Sequence, residues 1–104
     1  MISTRNIVLT GASFAALAQA VTVNTPSSVV QCQPIQLSWG QGTAPFYISI
    51  IPGGQPSGTP LESFPEQSGE SLTWMVDIAA GTSITVQVRD STGDINYSDQ
   101  VTIQ

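Results

Sequence analysis

The 104-residue sequence contains no histidine, only two basic residues and a single cysteine. Without histidine, neither a Ser-His-Asp triad nor a Cys-His pair can form, because both use imidazole as the general base. The usual zinc sites are excluded as well, since they need several histidine or cysteine ligands. The sequence therefore predicts a protein that is not an enzyme and that holds no metal and no cofactor.

Positive charge is scarce throughout the chain. Arg89 is the only basic residue after position 20, whereas all seven acidic residues lie in that part. One positive and seven negative side chains give residues 21–104 a formal charge of −6. Nucleic acid and anionic lipid are therefore not expected as partners, because binding to phosphate groups needs clustered Lys and Arg.

Charged residues of either sign make up only 9% of the chain, against about 25% in ordinary soluble domains. Residues 21–104 contain 11 Ser and 9 Thr, many of them at outward positions of the predicted strands. We therefore expect a hydroxyl-rich, weakly charged surface, which suits an extracellular protein that can be O-glycosylated. The β propensity of Thr accounts for part of this composition.

Residues 1–20 have the parts of a secretory signal peptide. Arg5 provides a positive n-region, a short apolar run follows, and the tripeptide 18–20 has the small residues of a cleavage site. The apolar run is shorter than the ~20 residues that a membrane-spanning helix needs. We expect cleavage after position 20, which leaves one secreted domain over residues 21–104 with no membrane insertion.

The most distinctive stretch extends from Ile35 to Gly54. In its first part, Ile35, Leu37 and Trp39 alternate with polar residues, which is the period of a half-buried strand. Its second part, residues 46–51, is apolar almost throughout, as in a strand that is covered on both faces. These two strands, with their Gly- and Pro-rich connection, are predicted to be the central pair of an all-β domain.

Five further short strands are predicted from apolar runs bounded by glycine and proline. They cover residues 21–24 with a continuation at 29–30, then 61–64, 72–76, 84–89 and 101–103. No helical pattern is present, and the alternation places Trp39 and Trp74 inward. Seven strands at this spacing predict an immunoglobulin-like or fibronectin-III-like β-sandwich.

Several motifs of the sequence resemble a family of secreted fungal cell-surface proteins. The motifs are residues 31–34 (QCQP), 37–40 (LSWG), 44–47 (APFY), 50–54 (IIPGG), 72–74 (LTW), 77–83 (DIAAGTS) and 89–93 (RDSTG). The family is that of the Ser/Thr-rich, often GPI-anchored proteins of filamentous fungi. Its N-terminal domain is similar to that of the yeast killer-toxin-resistance proteins and their homologues, which are required for cell-wall β-1,6-glucan.

The resemblance covers essentially all of residues 21–104. It implies an immunoglobulin-like module of the fungal cell wall or cell surface, with no catalytic residues to transfer. The implied partners are cell-wall polysaccharide or cell-surface proteins. Members of this family commonly continue to a second cysteine and a Ser/Thr-rich tail. GPI attachment needs a C-terminal apolar tail, so an anchor is not expected for the chain as given.

Cys32 is an unpaired cysteine in a chain that is expected to be secreted, where an odd thiol suggests a missing or intermolecular partner. Two interpretations remain open. In the first, Cys32 is a small buried apolar residue beside an edge strand. In the second, it forms a disulfide with a cysteine outside this chain or bridges two copies.

Two groups of polar residues are candidates for a site. Glycosidases use a pair of carboxylates, and four acidic residues lie in the middle of the chain, but their positions in polar loops favour solvated surface. Four further residues surround one predicted turn without the alternating spacing of a calcium loop, so they are expected to shape a hairpin. The first group is Glu62, Glu66, Glu70 and Asp77, and the second is Asp90, Asp94, Asn96 and Asp99.

Asn96 also begins the sequon Asn-Tyr-Ser and is a candidate for N-glycosylation. Stacking of aromatic rings on sugars makes Tyr47, Phe64 and Tyr97 candidates for binding β-glucan. Each has a structural interpretation too: Tyr47 as a core residue, Phe64 as a loop anchor and Tyr97 as a corner residue. The first functional hypothesis is therefore a non-catalytic wall module that packs among, or weakly binds, glucan.

The second hypothesis is a protein-interaction module or a homo-oligomer. The predicted first strand, residues 21–24, and last strand, residues 98–104, carry few charges to protect their edges. Such edges can accept a strand from another chain.

Overall fold

The computed structural model describes residues 20–104, so the predicted signal peptide falls almost wholly outside the described residues. Within this range the chain forms eight strands and no helix, which confirms the all-β class. The strands are β1 (Thr22–Val23), β2 (Pro34–Gly40), β3 (Tyr47–Pro52), β4 (Glu62–Ser63), β5 (Ser71–Met75), β6 (Ser83–Arg89), β7 (Ile95–Tyr97) and β8 (Val101–Thr102).

The strands form two antiparallel sheets. The three-stranded sheet has the order β1-β2-β5, and the five-stranded sheet has the order β4-β3-β6-β7, with β8 also paired to β6. Side chains from both sheets form one hydrophobic core, an arrangement consistent with a β-sandwich. The fully buried core residues include Leu37, Trp39 and Trp74 from the first sheet and Ile48, Ile50, Ile84, Val86 and Val88 from the second.

The predicted inward positions of the longer strands are confirmed. Leu37 and Trp39 on β2 are 1% and 3% exposed, and Trp74 on β5 is 2% exposed. β2 and β3 are central strands as predicted, but they belong to different sheets and do not pair with each other. Each lies between two neighbours in its own sheet. The alternation along a strand shows that it is half-buried but not which strand is its partner.

The last two strands pair with β6 on either side of a bulge. Gln87 is opposite Tyr97, whereas Ile84 is opposite Val101, so three residues (98–100) face only two on β6. An extra residue of this kind is a β-bulge, which bends the strand and redirects its side chains. β7 and β8 are therefore two halves of one interrupted strand. β7 itself was not predicted from the sequence.

The two buried tryptophans differ in how their indole N–H groups are satisfied. Trp74 Nε1 donates to Asp77 Oδ1 at 3.3 Å. Trp39 Nε1 is buried and has no hydrogen-bond partner among the described residues. A buried donor without a partner costs about 1–3 kcal/mol.

Replacing each tryptophan with phenylalanine is a matched comparison. Both changes remove the same volume, but Trp39→Phe also removes an unpaired donor, whereas Trp74→Phe breaks a hydrogen bond. We expect Trp74→Phe to lower the free energy of unfolding by about 1 kcal/mol more than Trp39→Phe. Urea unfolding of the two variants at pH 5 measures the difference. Equal losses, or a larger loss for Trp39→Phe, would contradict this assignment.

Candidate functional site

The outer face of the five-stranded sheet, which points away from the shared core, carries the candidate site. The strand alternation and the cross-strand pairs put three rows of residues on this face. The rows are Tyr47, Arg89 and Ile95; Ser63, Ser49, Gln87 and Tyr97; and Ile51 with Thr85.

Ile51 and Thr85 are buried although they lie on the outer face, at 0% and 6% exposed. The loop that follows β3 covers them. Gly53 N–H donates to Ser83 O at 2.9 Å, and Gly54 N–H donates to Thr85 Oγ1 at 3.3 Å. This loop was expected only to be a turn-rich connection. The structure shows that it folds back over the sheet and forms one wall of a pocket.

The pocket lies between this loop and the bulged segment that joins β7 to β8. Its volume is about 270 Å³. Residues 54–56 form one side, residues 97–100 form the other, and Thr85 contributes from β6. One wall comes from the Gly-rich loop after β3, and the other comes from the segment that joins β7 to β8. The sequence did not show that these regions meet, because their contact depends on the bulge.

Glycine is required where the two walls come closest. A Cβ atom at Gly53 would collide with Ser83 Oγ and would lie 2.8 Å from Gln100 Cγ. Gly54 has a φ of +71°, in the left-handed region that other residues rarely adopt. Gly53 and Gly54 therefore let the loop approach Gln100 closely enough to enclose the pocket.

Ser98 holds the opposite wall in place. It is 8% exposed, and its Oγ accepts the N–H of Val86 at 2.9 Å and donates to Asp99 O at 2.8 Å. The N–H of Asp99 donates to Thr25 Oγ1 at 2.9 Å. These bonds replace part of the strand ladder that the bulge interrupts. The wall is thus preorganised before any ligand binds.

The residues that line the pocket include one tyrosine, two glutamines and one aspartate. Tyr97 is 37% exposed, and Gln55, Asp99 and Gln100 belong to the same lining. The lining contains no basic side chain. An exposed ring beside several hydrogen-bonding groups suits a small polyhydroxylated ligand, because the ring supplies apolar contact and the polar groups set orientation.

The other two aromatic candidates lie elsewhere. Tyr47 is half-buried on the outer face, and the Arg89 guanidinium lies 4.7 Å from the centre of its ring. Phe64 packs edge to face against Trp74, with ring centres 6.3 Å apart, and is partly buried against the core. This position matches the interpretation of Phe64 as an anchor. Tyr97 is the candidate that lines the pocket, and Tyr47 shares its face of the sheet.

Cys32 is exposed, so the interpretation of this residue as a small buried apolar side chain is wrong. The N–H of Cys32 bonds to Val76 O at 2.8 Å, and a φ of +66° turns the chain sharply at this point. The turn explains the error, because it directs the side chain outward. An external or intermolecular disulfide remains a prediction.

Asn96 faces β1 at the edge of the five-stranded sheet. Its Nδ2 donates to Val21 O at 3.0 Å, and Ser98, the third residue of the sequon, is buried. The folded domain thus already uses the amide nitrogen that would carry a glycan. N-glycosylation at Asn96 remains a prediction for the chain before it folds.

The two edges that were considered for strand addition are engaged with other parts of the domain. Val21 O accepts from Asn96, and Asp99 N–H donates to Thr25 Oγ1. At the end of the chain, Gln104 N–H donates to Val29 O at 2.8 Å. No observation in the described residues therefore favours strand addition at these edges.

Asp90 organises the turn for which calcium was considered. It is 2% exposed, and its carboxylate accepts hydrogen bonds from Thr43, Thr92 and Asp94. These bonds, with that from the Thr92 hydroxyl the strongest contribution, hold the pKa of Asp90 below its usual value. Within residues 20–104, no group of three or more His, Cys, Asp or Glu side chains is placed to hold a metal ion.

The structure brings Glu62 and Asp77 together, although both were expected on solvated surface. Glu62 on β4 belongs to the five-stranded sheet, and Asp77 follows β5 of the other sheet. Their carboxyl groups are hydrogen-bonded, and burial together with the bond to Asp77 and its charge raises the pKa of Glu62 to about 7. The same bond lowers the pKa of Asp77. The two carboxyl groups thus share a proton across the edge of the two sheets.

Comparison with known proteins adds no relative. No family model and no curated protein matches this sequence. No helix among the described residues is long and apolar enough to cross a membrane.

Proposed function

We propose that this protein is a non-catalytic, secreted module of the fungal cell wall or cell surface that associates with wall polysaccharide through the Tyr97 pocket. The single observation that carries the proposal is the pocket itself. An exposed tyrosine lines the pocket together with two glutamines and an aspartate, between two walls that internal hydrogen bonds keep in place. Such a site binds by contact and hydrogen bonding.

The proposal includes the specific type of β-sandwich. We assign an immunoglobulin-like or fibronectin-III-like sandwich, in which β1, β2 and β5 take the places of strands A, B and E. The order β4-β3-β6-β7 then takes the places of C′, C, F and G. Pairing of the fourth strand with β3 supports a C′ assignment, since a strand D would pair with β5 instead.

The chemistry of the described residues is compatible with binding rather than turnover. The pocket lining contains one carboxylate, Asp99, and glycosidases of the common type need two that flank the scissile bond. The paired carboxyl groups of Glu62 and Asp77 involve the indole of Trp74, not the pocket residues. The resemblance to secreted fungal proteins supports the extracellular location, and the scarcity of charge with many Ser and Thr residues supports a glycosylated surface.

A binding assay with Tyr97→Ala tests the proposal. We expect the unmodified protein to bind insoluble β-glucan weakly and the variant to lose at least about tenfold in affinity, because the ring supplies the apolar contact area. Phe64→Ala is not a suitable control, since its ring packs on Trp74. Tyr47→Ala is the matched control: it removes a tyrosine from the same face without changing the pocket lining. Equal binding by the Tyr97 variant would reject the site.

A further inference from the structure

Asp99 is the only charged residue in the lining of the Tyr97 pocket. Residues 21–104 carry a formal charge of −6. Arg89, the single basic residue of that part, lies over Tyr47 in another row of the outer face. A ligand that enters the pocket therefore meets a carboxylate and no basic side chain. This field attracts cations and repels anions.

The pocket also has the features that retain a cation after it arrives. Tyr97 and Asp99 both line the pocket, and a cation near the face of a tyrosine is attracted by its π system. A hydrogen bond from an ammonium group to a carboxylate is about twice as strong as one between neutral groups. Asp99 N–H is occupied by Thr25, so this bond and those of Ser98 determine the position of the segment.

The volume of the pocket limits how much of a ligand can enter it. A volume of about 270 Å³ is just below the range of about 300–1,000 Å³ for pockets that enclose drug-sized molecules. The pocket therefore accommodates one ring-sized unit, while the open outer face beside Gln87 and Ser49 leaves room for the rest of a chain. The amides of Gln55 and Gln100 can both donate to and accept from hydroxyl groups.

We propose that the pocket is selective for a protonated amino sugar, such as a glucosamine unit of a cationic polysaccharide, over the corresponding neutral sugar. This inference rests on the proposed function, because it uses the same pocket and specifies its ligand. The ring stacks on Tyr97, the amides bind the hydroxyl groups, and Asp99 accepts a hydrogen bond from the ammonium group. A neutral glucose unit makes the first two contacts but not the third.

Calorimetric titration with three hexasaccharides of one linkage tests the proposal: glucosamine, N-acetylglucosamine and glucose. At pH 5.5 and low salt, we expect the glucosamine hexamer to bind about tenfold more tightly than the other two. Asp99→Asn should abolish that preference. Asp94→Asn is the matched control, because it alters the net charge equally at an exposed residue outside the pocket, and it should keep the preference.

Four outcomes overturn the inference. Equal affinity of the unmodified protein for all three hexamers removes the selectivity but leaves the proposed function standing. An equal loss in the Asp94 and Asp99 variants assigns the preference to net charge rather than to the pocket. Binding of no hexamer rejects both the inference and the proposed function, and so does binding that Tyr97→Ala does not weaken.

Discussion

Asp90→Ala is expected to lower the melting temperature by about 10 °C, the largest effect of any single side chain outside the apolar core. The carboxylate accepts four hydrogen bonds: from Thr43 N–H at 3.1 Å, from Thr92 N–H at 3.0 Å, from the Thr92 hydroxyl at 2.7 Å and from Asp94 N–H at 3.0 Å. Alanine would leave these donors without partners in a site with little access to water.

The loss should extend beyond one turn. Thr43 belongs to the connection between β2 and β3, which joins the two sheets, whereas Thr92 and Asp94 belong to the turn between β6 and β7. Ser91 N–H also donates to Thr43 O at 3.0 Å, so the two loops are in direct contact. Removal of the Asp90 carboxylate would therefore loosen both the connection and the strand that carries Tyr97.

The pH dependence gives a second measurement. Because the pKa of Asp90 is lowered in the folded state, the ionised carboxylate stabilises the fold. That contribution is fully present above the unfolded pKa of about 3.9 and is lost as the pH falls below it. Asp90→Asn retains one acceptor and should melt between the unmodified protein and Asp90→Ala, with less dependence on pH. Asp94→Ala removes the same charge from an exposed residue and is the control. A change of less than about 2 °C in Asp90→Ala would contradict this role.

Glu62→Gln is expected to make the protein more stable than the unmodified chain at pH 8 and equally stable at pH 5. The pKa of Glu62 is about 7 in the folded state, so the folded protein holds a proton that the unfolded chain has already lost. Stability therefore falls as the pH rises from about 4.5 to about 7, where Glu62 ionises beside Asp77. Glutamine keeps an N–H donor toward Asp77 at every pH, so this decrease should disappear.

The expected gain at pH 8 is about 1 kcal/mol, after allowance for solvent screening of a half-buried group, or about 5 °C in Tm. Glu66→Gln removes the same charge from an exposed position and should not change the shape of the pH profile. Thermal melts of the three proteins at pH 5, 6, 7 and 8 give the comparison. An unmodified protein with constant Tm across this range, or a parallel curve for Glu62→Gln, would refute the shared proton.

Asp77 sets the lower limit of the pH range in which the contact between Glu62 and Asp77 stabilises the fold. Its pKa is lowered, chiefly by the hydrogen bond from Glu62, so its contribution is present above about pH 4 and is lost below it. Glu62 keeps its proton below about pH 7, and Asp77 keeps its charge above about pH 4. The pair is therefore most stabilising in mildly acidic solution, near pH 5.

Much of the framework could be predicted from the sequence. Alternation identified the inward positions of Leu37, Trp39 and Trp74, because a half-buried strand repeats every two residues. The buried positions Val86 and Val88 on β6 follow the same rule. The all-β class followed from these strands and from the turn residues between them. Such local patterns are retained in the structure because burial of apolar area is the main stabilising term.

The pairing of strands and the pocket could not be predicted in this way. β7 was missed because it has only three residues and all of them are exposed, so its alternation of Ile95, Asn96 and Tyr97 is too short to indicate a strand. The burial of Ile51 and Thr85 on the outer face depends on the fold of a loop that lies outside the strand pattern.

Two further features could be recognised only in the three-dimensional structure. The bulge at residues 98–100 depends on register, and register is set by partners that are distant in the sequence. The contact of Glu62 with Asp77 joins two sheets and likewise leaves no local signal.

The two long sides of the sandwich are held together by different kinds of contact. We therefore expect the sheets to separate at one side before the other. On one side, neutral hydrogen bonds from Asn96 to Val21 and from Asp99 to Thr25 connect the sheets at any pH. On the other side, the contact between Glu62 and Asp77 needs a proton. Native-state hydrogen exchange, corrected for the intrinsic effect of pH, should therefore show that protection is lost first around β4 and β5 in alkaline solution. The side that carries the Tyr97 pocket should keep its protection.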